Sequence, residues 1–163
     1  MNKETLDALA MFPYRLAANY ALIPQTHTHW APPSWDGVPS EPLTAIEQLC
    51  HVRDIEIDGY HRRFHRALAE VNPSLAAIDT AALARERSYA TANADLVLED
   101  FREARAQTVA LISGLSPGQL ARTAVFEGYG QVTVRSLVHY LCSHDQQHLA
   151  GLQWLLGKIA GIG

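Results

Sequence analysis

The chain has 163 residues and a mass of 18.0 kDa, a size that predicts one domain over residues 1–163 and buries roughly 70% of the unfolded surface, so that neither metal nor disulfide is needed for folding and a metal site would serve function. Thirteen Lys and Arg against seventeen Asp and Glu give a net charge of −4, and only Arg62, Arg63 and Arg66 cluster, which excludes the basic stripe that nucleic acid demands. Glu4 and Asp7 precede Met11, against the order of a signal peptide, and the apolar run from Leu149 to Gly163 is broken by Gln153 and Lys158 and is too short to cross a bilayer.

Apolar periodicity predicts four long helices. The first runs from about Lys3 to Ile23, with Leu6, Leu9, Leu16, Tyr20 and Ile23 on one face and a kink expected at Pro13. A loop rich in proline, tryptophan and histidine follows from Pro24 to Pro42. Such a loop is long enough to cross the end of a bundle, so the first two helices need not be antiparallel neighbours. The second helix opens on a capping box, Thr44 with Glu47, carries the stripe Leu43, Ile46, Cys50, Ile57, Tyr60, Phe64 and Leu68, and closes at Pro73. A short helix is expected after Asp79, and the third long one from about Ala92 to Ser113 on Val97, Phe101, Ala104, Thr108 and Leu111. Ser116-Pro117-Gly118-Gln119 reads as a capped single turn with proline at its first position. The stretch from Val125 to Val132, with Gly128 and Gly130, predicts a loop or a small irregular hairpin, and the fourth helix runs from about Val134 to Leu156 and stops at Gly157. Four helices without a run of alternating strands predict an all-α four-helix bundle. Two cysteines, Cys50 and Cys142, read as small buried hydrophobes of a reducing compartment, with the cytosol as the default expectation.

Eight histidines are the unusual feature of the composition. His144 and His148 stand at i and i+4 on the fourth helix, on the stripe of Leu137, Leu141, Leu152 and Leu155, so both point inward one turn apart. The spacing alone leaves two readings open: a pair of hydrogen-bonded core histidines, or two ligands of one ion. Asp145 stands where a zinc peptidase carries its general base, but no His, Asp, Glu or Cys lies between Leu149 and Gly163 to complete that site, and the paired Glu-x-x-His motifs of a di-iron bundle are absent. A third ligand must come from another helix. His51 is the best candidate, although it lies about 100° from Cys50 around the helix. Glu47, Asp54 and Asp58 accompany it at i−4, i+3 and i+7, where they could orient the imidazole, act as alternative ligands or bases, or form a solvated acidic face. His61 and His65 sit among arginines and read as surface. His139, about 140° from His144, reads as a packing or supporting residue, and His27 and His29 as loop residues that could line the mouth of a site.

These residues, taken together, resemble the DinB superfamily. The likeness rests on four long helices, a histidine early in the second, Ser-Pro-Gly-Gln-Leu-Ala-Arg after the third, and the run from Val134 to Leu141 leading into His144-Asp145-Gln146-Gln147-His148. The resemblance implies a metal-binding, dimeric four-helix bundle with a divalent ion held by His51, His144 and His148. It departs from the family at Gly151, where many members carry glutamine. Three imidazoles with an open position suit catalysis by zinc, nickel or iron, and Cys142, about 200° from His144, cannot close the site. The ion would activate a thiol or a water. Characterised relatives favour the thiol, which implies an S-transferase using a low-molecular-weight thiol on a small-molecule substrate; spacing alone offers Asp54 or Asp58 as a nearby base. The alternatives are a metal-dependent hydrolase and a non-catalytic metal-binding stress or interaction protein.

Overall fold

The computed structural model describes residues 1–162. Helix α1 spans Lys3–Ala21 and is capped by Asn2, whose side chain accepts from the Thr5 amide. It ends two residues earlier than expected and runs through Pro13, which is buried on its inner face. The second long helix is three segments in one rod: α2 (Ala45–Asp54), a π-helical segment (Ile55–His61) and α3 (Arg62–Ala69). Its capping box forms as expected, with the Thr44 amide donating to Glu47 at 2.9 Å.

Strand β1 (Ser74–Leu75), helix α4 (Thr80–Glu86, capped by Asp79) and helix α5 (Ala94–Ser113, capped by Asn93) follow. The single turn α6 (Pro117–Leu120) carries the Ser116–Gln119 box. Strands β2 (Thr123–Phe126) and β3 (Gly130–Thr133) then form an antiparallel hairpin that turns at Gly128 and Gly130, both at positive φ, where a side chain would be strained. The hairpin is regular, and β1 adds to it in parallel, pairing Ser74 with Val125 and Leu75 with Phe126. Helix α7 (Val134–Ala160) continues past Gly157 for one more turn.

Helix α1 packs chiefly on α5 and α7, and α2 on the same two helices, so α1 and α2 occupy opposite corners of the bundle. The connection from residue 22 to residue 44 therefore crosses the bundle end, as its length predicts, and is tied down where the Ile46 amide donates to Thr28 O at 3.1 Å. The apolar core divides into two clusters. One lies around Leu9, Phe64, Leu137 and Val138 beside the small sheet, the other around Phe12, Leu49, Phe101 and Leu152. His51 of α2 and His144 and His148 of α7 stand inside the bundle.

The π segment alters the expected stripe. Its i→i+5 pairing takes an extra residue into each turn and shifts the phase of everything beyond it. Ile57, expected inside, is 36% exposed, while Glu56 is fully buried.

Candidate metal centre

His51 from α2 and His144 and His148 from α7 converge. The Nε2 atom of His144 lies 3.1 Å from that of His51 and 3.1 Å from that of His148. Nitrogens bound at about 2.0–2.1 Å stand about 2.8–3.0 Å apart in adjacent positions of an octahedral centre and about 3.3–3.4 Å apart around a tetrahedral one, so a spacing of 3.1 Å fits a shared ion. The inward phase of His51, off the ideal α-helical stripe, is accommodated because α2 is buried on nearly every side at this level.

The protonation states suit ligation. Burial lowers the pKa of all three imidazoles; His51, Arg105 and Arg63 add to the effect on His144, and His144 and His51 add to it on His148. The tautomer of His148 follows from a chain of hydrogen bonds. Ser40 Oγ donates to the Glu41 carbonyl at 3.1 Å and so accepts from Gln48 Nε2 at 2.9 Å. The Gln48 amide is thereby oriented with Oε1 toward His148, whose Nδ1–H donates to it. That leaves the Nε2 lone pair of His148 facing the other two rings.

Gly151 belongs to this arrangement. A Cβ at 151 would sit 2.8 Å from Gln48 Nε2 and would also collide with Ser40. The departure from the family pattern thus makes room for a glutamine that arrives from α2.

One carboxylate faces the three rings. Glu41 Oε2 lies 3.4 Å from His148 Nε2, and Glu41 Oε1 lies 3.8 Å from His51 Nε2. Glu41 Oε2 is buried without a hydrogen-bond partner, as is His144 Nδ1. A buried acceptor without a donor, facing the Nε2 atoms of His148 and His51, is what a bound cation would satisfy, and the donor set fits a divalent ion.

Beside the histidines opens a cavity of about 450 Å³, lined by Glu41, His51 and His144 at one part and by Tyr60, Arg63, Phe126, Tyr129 and Tyr140 elsewhere. Phe126 stacks on Tyr129 with centroids 4.7 Å apart, and Tyr140 continues the wall at 4.6 Å. Burial raises the Tyr60 hydroxyl far above its usual range, so it remains a neutral donor.

The other residues singled out by sequence have different places. Asp54 accepts from Arg53 at 2.7 Å, from Arg87 at 2.7 Å and from the Tyr89 hydroxyl at 2.6 Å. Asp58 pairs with Arg62 and Arg87, each at 2.7 Å. Neither lines the cavity, and each is ion-paired with two arginines. That removes the ground for reading them as bases, and for reading fully buried Asp54 as part of a solvated face.

Asp145 is turned from the histidines toward Arg105, which spans Asp145 and Glu56 with paired hydrogen bonds of 2.6–3.0 Å. His65 is exposed, as expected. His61 is half-buried and bonds the Ala104 carbonyl and Thr108 Oγ1, each at 3.0 Å. His139 is exposed rather than packed, because its rotation from His144 turns it to the outer face. His27 lies edge-on to Trp30, and neither His27 nor His29 lines the cavity.

Sequence reasoning missed Glu41, Gln48 and Arg63. Gln48 carried a signal, being three residues before His51 and so on the same helical face. Glu41 lies in a loop and Arg63 beyond the π segment, where periodicity gives no guidance.

Residues 15–152 match the family model of the DinB superfamily. No curated protein matches the chain. Among solved structures it is similar to YfiT from Bacillus subtilis, described as a probable metal-dependent hydrolase with an unusual four-helix bundle topology. The two are 19% identical with a TM-score of 0.80, over 98% of this chain and 90% of that one. No helix among the described residues is long and apolar enough to cross a membrane.

Proposed function

Since this chain belongs to the DinB superfamily, we propose that it is a divalent-metal-dependent enzyme that activates a small nucleophile against a small-molecule substrate held in the cavity. The observation that carries this reading is the convergence of three neutral imidazoles and one unpartnered carboxylate at the wall of an aromatic-lined chamber. His51, His144 and His148 would hold the ion through Nε2. A divalent ion so held supplies Lewis acidity, lowering the pKa of a thiol or water that reaches it. Glu41 Oε2 is the acceptor for the proton released, being within 3.4 Å of the site and without a donor of its own. Gln48 keeps His148 in its ligating tautomer, and the aromatic wall positions the substrate's apolar part.

A low-molecular-weight thiol is the nucleophile in the leading reading, making the protein an S-transferase. A hydrolase using water is the second reading, supported by the description of YfiT.

The test begins with metal analysis of untagged protein. About one equivalent of divalent ion is expected, lost in His148→Ala with helical content retained. Less than about a tenth of an equivalent, unrestored by zinc, nickel or manganese, would abandon the site. With the ion present, thiol loss against an electrophilic acceptor should depend on metal, and Glu41→Gln should slow it by about 10²-fold while retaining the ion. Ester hydrolysis without thiol consumption would select the water reading.

A further inference from the structure

The cavity holds a positive charge that the protein itself leaves unmatched. Arg63 is 7% exposed, and its Nε has no hydrogen-bond partner. Its one hydrogen bond, from Nη2 to the Ala76 carbonyl, is long at 3.4 Å. Among the described residues no carboxylate forms an ion pair with it, although Glu41 lines the same cavity and Asp58 a neighbouring pocket. Asp58 is already engaged by Arg62 and Arg87.

Arg105 shows what a buried guanidinium in this bundle obtains when it serves structure alone. Its nitrogens reach Glu56, Asp145 and the Leu9 carbonyl through five hydrogen bonds. Arg105 lies over Phe12 and Phe101 as well, at 5.2 and 5.1 Å, and Arg63 has the same kind of contact, over Phe126 at 4.5 Å and Tyr60 at 5.2 Å, but no carboxylate to go with it. Such rings attract the cation through its face but accept none of its in-plane N–H groups.

The local sequence makes room for this placement. A Cβ at Gly59 would stand 2.8 Å from Arg63 Nη1 and 3.2 Å from Ile78 Cδ1, so the glycine in the π segment lets the guanidinium lie against the helix. A buried cation without a counter-charge is costly, and a ligand that supplies the anion removes that cost.

We infer that Arg63 anchors the substrate by its carboxylate, and that the substrate is an organic acid whose apolar or aromatic body rests on Tyr60, Phe126 and Tyr129. A lone planar fork, with no other lysine or arginine in the lining, matches the two oxygens of a carboxylate better than a dianionic phosphate. The inference rests on the reading of this cavity as the substrate chamber, but not on the ion.

Isothermal titration of the protein with 3-phenylpropionate, its neutral amide and phenyl phosphate tests it, in metal-free and zinc-loaded forms. The acid should bind at least about tenfold more tightly than the amide in both forms, and more tightly than the phosphate. Arg63→Met should erase that preference, and Arg63→Lys should retain part of it. Equal binding of acid and amide overturns the inference, as does no detectable binding of the acid at millimolar concentration. So does a preference that survives Arg63→Met, one that vanishes when metal is removed, or tighter binding of the phosphate. If Arg63→Met does not fold, the acid-to-amide ratio in the unaltered protein and in Arg63→Lys decides. A protein that takes up no ion yet prefers the acid would defeat the proposed enzyme chemistry and leave the arginine's role standing.

Discussion

Gln48 is a single residue on which the chemistry of the proposed ion site turns. Its amide is oriented by Ser40 and in turn orients His148, so the tautomer proposed for ligation is set three hydrogen bonds from the loop backbone. Replacing it by leucine keeps the volume roughly constant and removes the acceptor for His148 Nδ1. We expect Gln48→Leu to weaken zinc binding by about 10–100-fold with little change in helical content, measured by competition with a chelating dye. Unchanged affinity would mean that the ring is held by packing alone. His144 and His148 were legible in the sequence because i, i+4 spacing and an apolar stripe are local properties, whereas His51, off the ideal stripe of another helix, was reached as the best remaining candidate and through the family resemblance. Glu41 and Arg63 were not, since a loop has no period and the π segment moves Arg63 off the face that counting assigns to it.

At the scale of elements, the long connection after α1 docks on α7 through Ser40, Gln48 and Gly151. Gly151→Ala should gain about 1 kcal/mol of helix propensity and lose about 1–3 kcal/mol to overpacking. Thermal unfolding should therefore shift by only a few degrees. Zinc affinity should fall by about tenfold because the added methyl displaces Gln48. An affinity equal to that of the unaltered protein would show that Ser40 and Gln48 move aside without consequence. The helices themselves were readable from caps and apolar spacing, and both expected capping boxes are present. The π segment was not readable. Residues Ile55–His61 include glycine and carry no proline, and what favours their wider turn is the tertiary setting: Glu56 reaching Arg105 inside, and Arg63 folding over Gly59.

Across the whole molecule, Arg105 joins the four corners of the bundle. It bonds the Leu9 carbonyl of α1, Glu56 of the π segment and Asp145 of α7 from its own place on α5. Burial pushes the Asp145 carboxyl up to about 7 even though Arg105 pulls it down. Arg105→Met strands two buried acids, and we expect a loss of about 3–5 kcal/mol in urea unfolding. Replacing Glu56, Arg105 and Asp145 together by apolar residues of similar volume should restore most of it. A loss below about 1 kcal/mol for Arg105→Met alone would show that the acids find other partners. The bundle was legible from periodicity, but this network was not, because charged residues on a helical wheel read as solvent-facing until the partner helix is known. A last consequence lies in where the donors come from. The imidazoles ride on rods whose separation every core contact helps to fix, whereas Glu41 rides on a connector. On the proposed reading, connector substitutions that spare Ser40 would retune reactivity while leaving the imidazoles in place, which gives one scaffold a route to diversify its chemistry.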